Sequence, residues 1–193
     1  MKKDIILAGV GGQGILSIAT IIGYVAVQEN LFLKQAEVHG MSQRGGDVQS
    51  HLRISDKEIY SDLIPDGKAD LILSVEPMES LRYMPFLGND GWIVTNTKTF
   101  VNIPDYPEEE VLNSEITKIK NHVALNADAI AKEKGSSRSM NMVMLGAAAP
   151  FLGLPVEKLE DAVKAVFGRK GEAIVEKNLE CFRAGLEIAQ KIK

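Results

Sequence analysis

The sequence of 193 residues holds one cysteine, Cys181, and three histidines, His39, His51 and His122. One cysteine forms no internal disulfide, and an iron–sulfur cluster usually takes four thiolates. No two histidines stand at a metal-binding spacing such as His-x3-His. No Ser/His/Asp or Cys/His triad can be assembled, so the sequence assigns no catalytic residue and no metal ligand. A redox centre, if one is involved, belongs elsewhere. Long apolar runs are also missing. The longest uncharged stretch, around Met140–Val156, is broken by Asn141, Gly146, Pro150, Gly153 and Pro155. A membrane span takes roughly 20 predominantly apolar residues, so this stretch reads as a buried helix and turn. Met1-Lys2-Lys3-Asp4 runs into four apolar residues and then glycine, which is too short for the apolar core of a secretory leader. A cytoplasmic location is expected. Positive charge is in deficit, with 22 Lys and Arg against 26 Asp and Glu. Nucleic acid is therefore not expected as a partner.

What is present is ordinary for a globular protein: 45% hydrophobic and 25% charged residues. The length suits one core, so residues 1–193 are read as a single domain. Asp4–Ala8 reads as a buried strand, and its unbroken apolar run fits a parallel sheet covered on both faces. Gly9–Gly12 form a turn. From Gly14 onward Ile15, Ile18, Ala19, Ile22 and Val25 fall on one helical face. Leu31–Val38 is the second strand. Asp47–Ile54 alternates, and the turn signal at Ser55–Glu58 predicts an antiparallel hairpin to a short strand at Ile59–Tyr60. Asp70–Val75 and Trp92–Thr95 read as further strands. Between them a helix starts at Pro77 and closes at Gly88. Lys98–Pro107 is a loop, and the acidic run after Pro107 starts another helix. His122–Leu125 is a last strand. Helices follow at Ala127–Lys134, Met140–Leu152, Val156–Phe167 and Glu172–Ile192. The expected fold is α/β and three-layered, with a Rossmann-like, mostly parallel sheet, one antiparallel hairpin and a helical C-terminal region.

Three segments carry candidate chemistry. Gly9-Val10-Gly11-Gly12-Gln13-Gly14 matches G-x-G-x-x-G between a strand and a helix, where backbone N–H groups and the helix terminus favour an anion. It serves either a dinucleotide, with Glu37 as ribose partner, or another anion, or only the packing of helix on sheet. His39-Gly40-Met41-Ser42-Gln43-Arg44-Gly45-Gly46 follows the second strand, and Arg44 offers a fork for a phosphate or carboxylate. Ser139–Gly146 brings Asn141 to a helix start, as a cap or as a ligand contact. Cys181 and His51 read as packed structural residues.

Together these segments resemble, in order and spacing, the gamma-type domain of pyruvate and other 2-oxoacid:ferredoxin oxidoreductases. The likeness runs over roughly residues 3–187. Within that family, Glu37–Gln43 and the Leu63-Ile64-Pro65 segment are most similar to the beta subunit of indolepyruvate ferredoxin oxidoreductase. The resemblance implies a small subunit that is inactive alone. It would support oxidative decarboxylation of a 2-oxoacid, of the indolepyruvate or aryl pyruvate type, to an acyl-coenzyme A with electrons passed to ferredoxin. No cofactor is expected on this chain by itself. Thiamine diphosphate, magnesium and iron–sulfur clusters are expected in a larger partner subunit, with coenzyme A as co-substrate. The residues that the resemblance and the loops together nominate for cofactor contact are Gly9, Gly11, Gly12, Gln13, Gly14, Ser42, Gln43, Arg44, Gly45, Gly46 and Asn141. Two alternatives are a nicotinamide-dependent oxidoreductase and a stand-alone nucleotide- or anion-binding module.

Overall fold

The computed structural model describes residues 1–39 and 45–193, with His39 described by its backbone alone. Six strands form one sheet in the order β2-β3-β1-β4-β5-β6. They are β1 (Lys2–Val10), β2 (Phe32–His39), β3 (Asp47–Ser55), β4 (Ala69–Ser74), β5 (Leu87–Asn96) and β6 (His122–Leu125). β1, β4, β5 and β6 are mutually parallel. β3 runs antiparallel to both β1 and β2. The central strand is apolar on both faces: Ile5 and Leu7 enter the larger core, Ile6 and Ala8 the smaller one. Such two-sided burial is what an unbroken apolar run in a parallel sheet requires.

One face is covered by α1 (Ile15–Gln28), α5 (Met140–Leu152), α6 (Val156–Phe167) and α7 (Glu172–Gln190), with α4 (Ala127–Glu133) alongside. The other carries α2 (Pro77–Arg82) and α3 (Glu109–Thr117) over a smaller cluster around Ile6, Ile64, Ile72 and Ile93. Helix α5 is buried from Met140 to Ala149. It can be, because α7 crosses it at backbone contact. An ideal Cβ on Gly146 would lie 1.8 Å from the carbonyl oxygen of Phe182, and one on Gly185 would lie 1.9 Å from that of Val143.

The three-layer α/β expectation stands, but two details differ. The antiparallel hairpin joins β3 to β2, not to Ile59–Tyr60, which form no strand. Arg53 explains the difference. Its Nη1 donates to the carbonyls of Ser61 and Leu63 at 3.0 and 2.9 Å, while Nε pairs with buried Asp4 at 2.8 Å. His51 Nδ1 accepts from the Ile64 N–H at 3.0 Å. Side chains of β3 thus hold the segment that a ladder would otherwise hold. The second detail is α2, which stops at Arg82. A 3-10 turn at Met84–Phe86 follows, and Gly88 lies inside β5. Pro85 has no N–H to continue a helix.

Candidate functional site

β2 and β1 point the same way, because each is antiparallel to β3. The carboxyl ends of β1, β2, β4, β5 and β6 therefore meet along one edge, where open α/β sheets bind ligands. The loop after β1 and the loop into β3 are joined there. Gly11 N–H donates to the carbonyl of Gly46 at 2.9 Å, and Gly45 N–H approaches that of Gly11 at 3.5 Å. Gly9, Gly11, Gly12, Gln13, Gly14, Gly45 and Gly46 thus form one patch. Ser42, Gln43 and Arg44 lie outside the described residues.

Gly14 is the pivot of the patch. Its φ of 84° is left-handed, and it stands at the N-cap of α1. A Cβ there would meet Asn141 Nδ2 at 2.5 Å. That same Nδ2 donates to the Gly14 carbonyl at 3.2 Å, tying the start of α5 to the glycine loop. Asn141 is not the cap of α5; Ser139 holds that position. Gln13 turns inward, its Oε1 accepting from the Val10 N–H at 2.8 Å, and so stabilises the end of β1.

Two depressions meet at Gly14. One of about 260 Å³ lies over Val10, Gly11, Gly12, Ile15, Leu16 and Val48. The other, about 450 Å³, runs from Gly14 and Ser17 past Ser139 and Asn141 to Asn178, and Arg138 and Lys170 line it. Of the first amides of α1, those of Ser17 and Ile18 turn back to the Gly14 carbonyl at 3.1 and 3.4 Å, and those of Ile15 and Leu16 precede the helical ladder. The arrangement offers an anion backbone donors, hydroxyls and two cations. Ser139 heads a segment that the sequence singles out, but sequence reasoning missed Arg138, Lys170 and Asn178. Arg138 and Lys170 come from the turns before α5 and α7 and Asn178 from α7 itself, more than 120 positions from the glycine loop, and no local motif marks them.

The opposite side of the edge is acidic. Glu76, wholly buried, caps α2 by accepting from the Glu79 N–H at 2.9 Å. Burial raises the Glu79 carboxyl above its ordinary value, and its ion pair with Arg82 at 2.9 Å works against that rise. Burial first, then the carboxylates of Glu79 and Asp47, hold the Tyr83 phenol far above its usual value, so it stays protonated and donates to Asp47 at 3.4 Å. Tyr106 is held protonated in the same way, by burial and by its bond to Glu76.

The order of strands speaks to the dinucleotide reading. β3 intervenes between β1 and β2. That sets Glu37 about 10 Å from β1, two strand spacings away. The ribose partner of a dinucleotide fold ends the strand next to β1. Among the described residues no group of three or more His, Cys, Asp or Glu is placed to hold a metal ion, and no helix is long and apolar enough to cross a membrane. Cys181 is wholly buried, and burial raises its thiol.

The family model of pyruvate ferredoxin/flavodoxin oxidoreductase matches residues 4–188. The indolepyruvate oxidoreductase subunit IorB of Methanothermobacter thermautotrophicus is 35% identical, covering 98% of this chain and 98% of that one. A keto/oxoacid ferredoxin oxidoreductase gamma subunit from Geobacter sulfurreducens superposes with a TM-score of 0.70 at 26% identity, over 98% of this chain and 99% of that one. The fold is also that of part of a 2-oxoglutarate:ferredoxin oxidoreductase from Magnetococcus marinus, solved with 2-oxoglutarate, coenzyme A and succinyl-CoA bound. There the TM-score is 0.78 at 22% identity, over 100% of this chain and 32% of that longer one.

Proposed function

The chain belongs to the pyruvate ferredoxin/flavodoxin oxidoreductase family, and on that premise we propose that it is the small subunit of a 2-oxoacid:ferredoxin oxidoreductase, acting on indolepyruvate or a related aryl pyruvate. Residues 1–193 form one domain that contributes a coenzyme-facing edge rather than a redox centre. The lone cysteine is buried on α7 and cannot supply the four thiolates a cluster usually takes. Iron–sulfur clusters, thiamine diphosphate and magnesium are therefore assigned to a larger partner subunit, with ferredoxin reached through the assembled complex in the cytoplasm.

The observation that carries this reading is the junction of the two glycine loops at the carboxyl edge, next to Arg138 and Lys170. Its donors fit the phosphates of coenzyme A. Gly12, where an added Cβ would meet nothing within 4 Å, presents open backbone to a phosphate, while the Gly11 N–H is given to Gly46 and ties the two loops. Asn141 holds the Gly14 carbonyl, so that the first amides of α1 keep their aim. Arg138 and Lys170 add charge, and Ser42, Gln43 and Arg44, nominated from the sequence, are assigned to the same role. When bound, the coenzyme supplies the thiol that takes the acyl group; this chain orients it.

The test is co-purification on a tag from the native cell, followed by 2-oxoacid-dependent electron transfer with and without coenzyme A. Recovery of a large iron–sulfur subunit and coenzyme-dependent turnover of indolepyruvate is the expected outcome. Recovery of the chain alone, with tight binding of a nicotinamide dinucleotide, would refute the proposal.

A further inference from the structure

The two oxygens of the Glu76 carboxylate do different work. Oε2 caps α2. Oε1 accepts from the Phe100 N–H at 3.3 Å and from the Tyr106 hydroxyl. A carboxylate in the interior needs such donors, and two of its three come from the segment between β5 and α3. That segment is tied at both sides of its midpoint. Between the ties, Asn102 Nδ2 donates to the carbonyl of Gly45 at 2.8 Å. Gly45 and Gly46 in turn bond Gly11. A path of hydrogen bonds, joined by the short backbone between Phe100 and Asn102, thus runs from a buried acid to the glycine loop. Apolar burial does not hold the segment in place, because Phe100, Val101 and Ile103 are exposed.

We propose that Glu76 and Asn102 are positioning residues: Glu76 seats the strap formed by residues 97–108, and Asn102 uses that seat to fix the Gly45 carbonyl and so the geometry of the joined glycine loops. The consequence for coenzyme A rests on the reading given under Proposed function. Glycine-rich backbone samples many conformations when untied. A ligand that needs one of them binds with an affinity reduced by the fraction of time that it is populated. The strap raises that fraction without touching the ligand.

The experiment uses Asn102→Ala, the near-isosteric Asn102→Asp, which keeps the shape and loses the donor, and Tyr106→Phe. Amide hydrogen exchange is followed in the full chain within the reconstituted complex. Coenzyme A and oxoacid kinetics are measured on the same preparations. Both Asn102 variants should speed exchange at Gly11 and Gly45 while leaving central β3 amides unchanged. They should raise the KM for coenzyme A by about threefold to tenfold, the range a lost neutral hydrogen bond gives. The kcat and the oxoacid KM should stay within about twofold, since neither reads loop order. Tyr106→Phe should shift the same quantities by less. Unchanged exchange at Gly11 and Gly45, wild-type behaviour in Asn102→Asp, or a fall in kcat at constant KM would each overturn the proposal. If the Asn102 variants loosen the loops but coenzyme A fails to protect Gly11–Gly14 in the wild type, the strap is upheld and the coenzyme reading falls.

Discussion

Replacing Gly146 by alanine sets two effects of opposite sign against each other. In a helix interior alanine is favoured over glycine by about 1 kcal/mol. On propensity alone, Gly146→Ala stabilises α5. The structure argues the reverse. The added Cβ would stand 1.8 Å from the Phe182 carbonyl oxygen and 2.7 Å from its carbon. Reaching an ordinary carbon–oxygen contact takes a displacement of about 1.5 Å. The obstacle is backbone, so no rotamer relieves it. Nor can α5 retreat, because its far side lies against the sheet, with Phe151 stacked on Trp92 at 4.5 Å between ring centres. Overpacking of a core costs about 1–3 kcal/mol and more where backbone must move. A net loss of about 2 kcal/mol or more is expected, which for a chain of this size lowers the melting temperature by about 4–8 °C. Thermal unfolding of Gly146→Ala beside wild type decides it. An unchanged or raised melting temperature would refute the crossing geometry.

Other perturbations test other contacts. Gly14→Ala places a residue in the left-handed region, at a cost of about 1–2 kcal/mol, and drives a methyl into the Asn141 amide. In a double-mutant cycle with Asn141→Ala the two changes should be non-additive, and strict additivity would rule out the contact. Lys170→Ala should raise the KM for coenzyme A and flatten its dependence on salt, as loss of a partly screened charge does; an unchanged salt dependence would remove Lys170 from the site. His51 is shifted below its ordinary value, first by burial and then by Arg53. Its unfolded form therefore takes a proton near pH 6.5 while the folded form resists. Stability due to His51 is full above that pH and lost as pH falls toward the depressed value. Melting temperatures measured from pH 7.5 to 5.5 should fall in the wild type and vary less in His51→Asn. Cys181 is buried with a raised thiol. A thiol reagent should leave it untouched until the chain unfolds, and rapid modification in the native state would contradict its position.

Much of the fold is local and so can be read from residues. The bounds of β6, α5 and α6 coincide with the sequence expectation, because apolar periodicity and the Gly and Pro stops decide them. The pairing of β3 was not legible. The turn signal at Ser55–Glu58 is real, but Arg53 and His51 take up the backbone groups beyond it, and the strand pairs with β2. At the site, Gly9–Gly14, Gly45 and Gly46 could be found because glycine marks close backbone approach. The sequence offers Asn141 as a cap or a ligand contact; in the structure its amide ties to the backbone of Gly14. Arg138, Lys170, Glu76 and Asn102 left no trace in the pattern. Each joins the edge only through long-range topology, and a buried glutamate before proline looks like any helix start.

The crossing of α5 and α7 also sets an order of events in time. β1 sits at the middle of the sheet and emerges among the earliest elements, yet the face it shares with β4 is closed by α5, and α5 is closed by α7. At roughly 5–20 residues per second of synthesis, the segment from β3 to the end of α7 takes about 7–29 s to appear. Throughout that interval an apolar sheet face waits for its last helix. A ribosome-stalled chain ending before Glu172 would leave Gly146 and Val143 facing solvent and should remain a client of chaperones. The chain should become protease-resistant in one late step, when α7 locks into place.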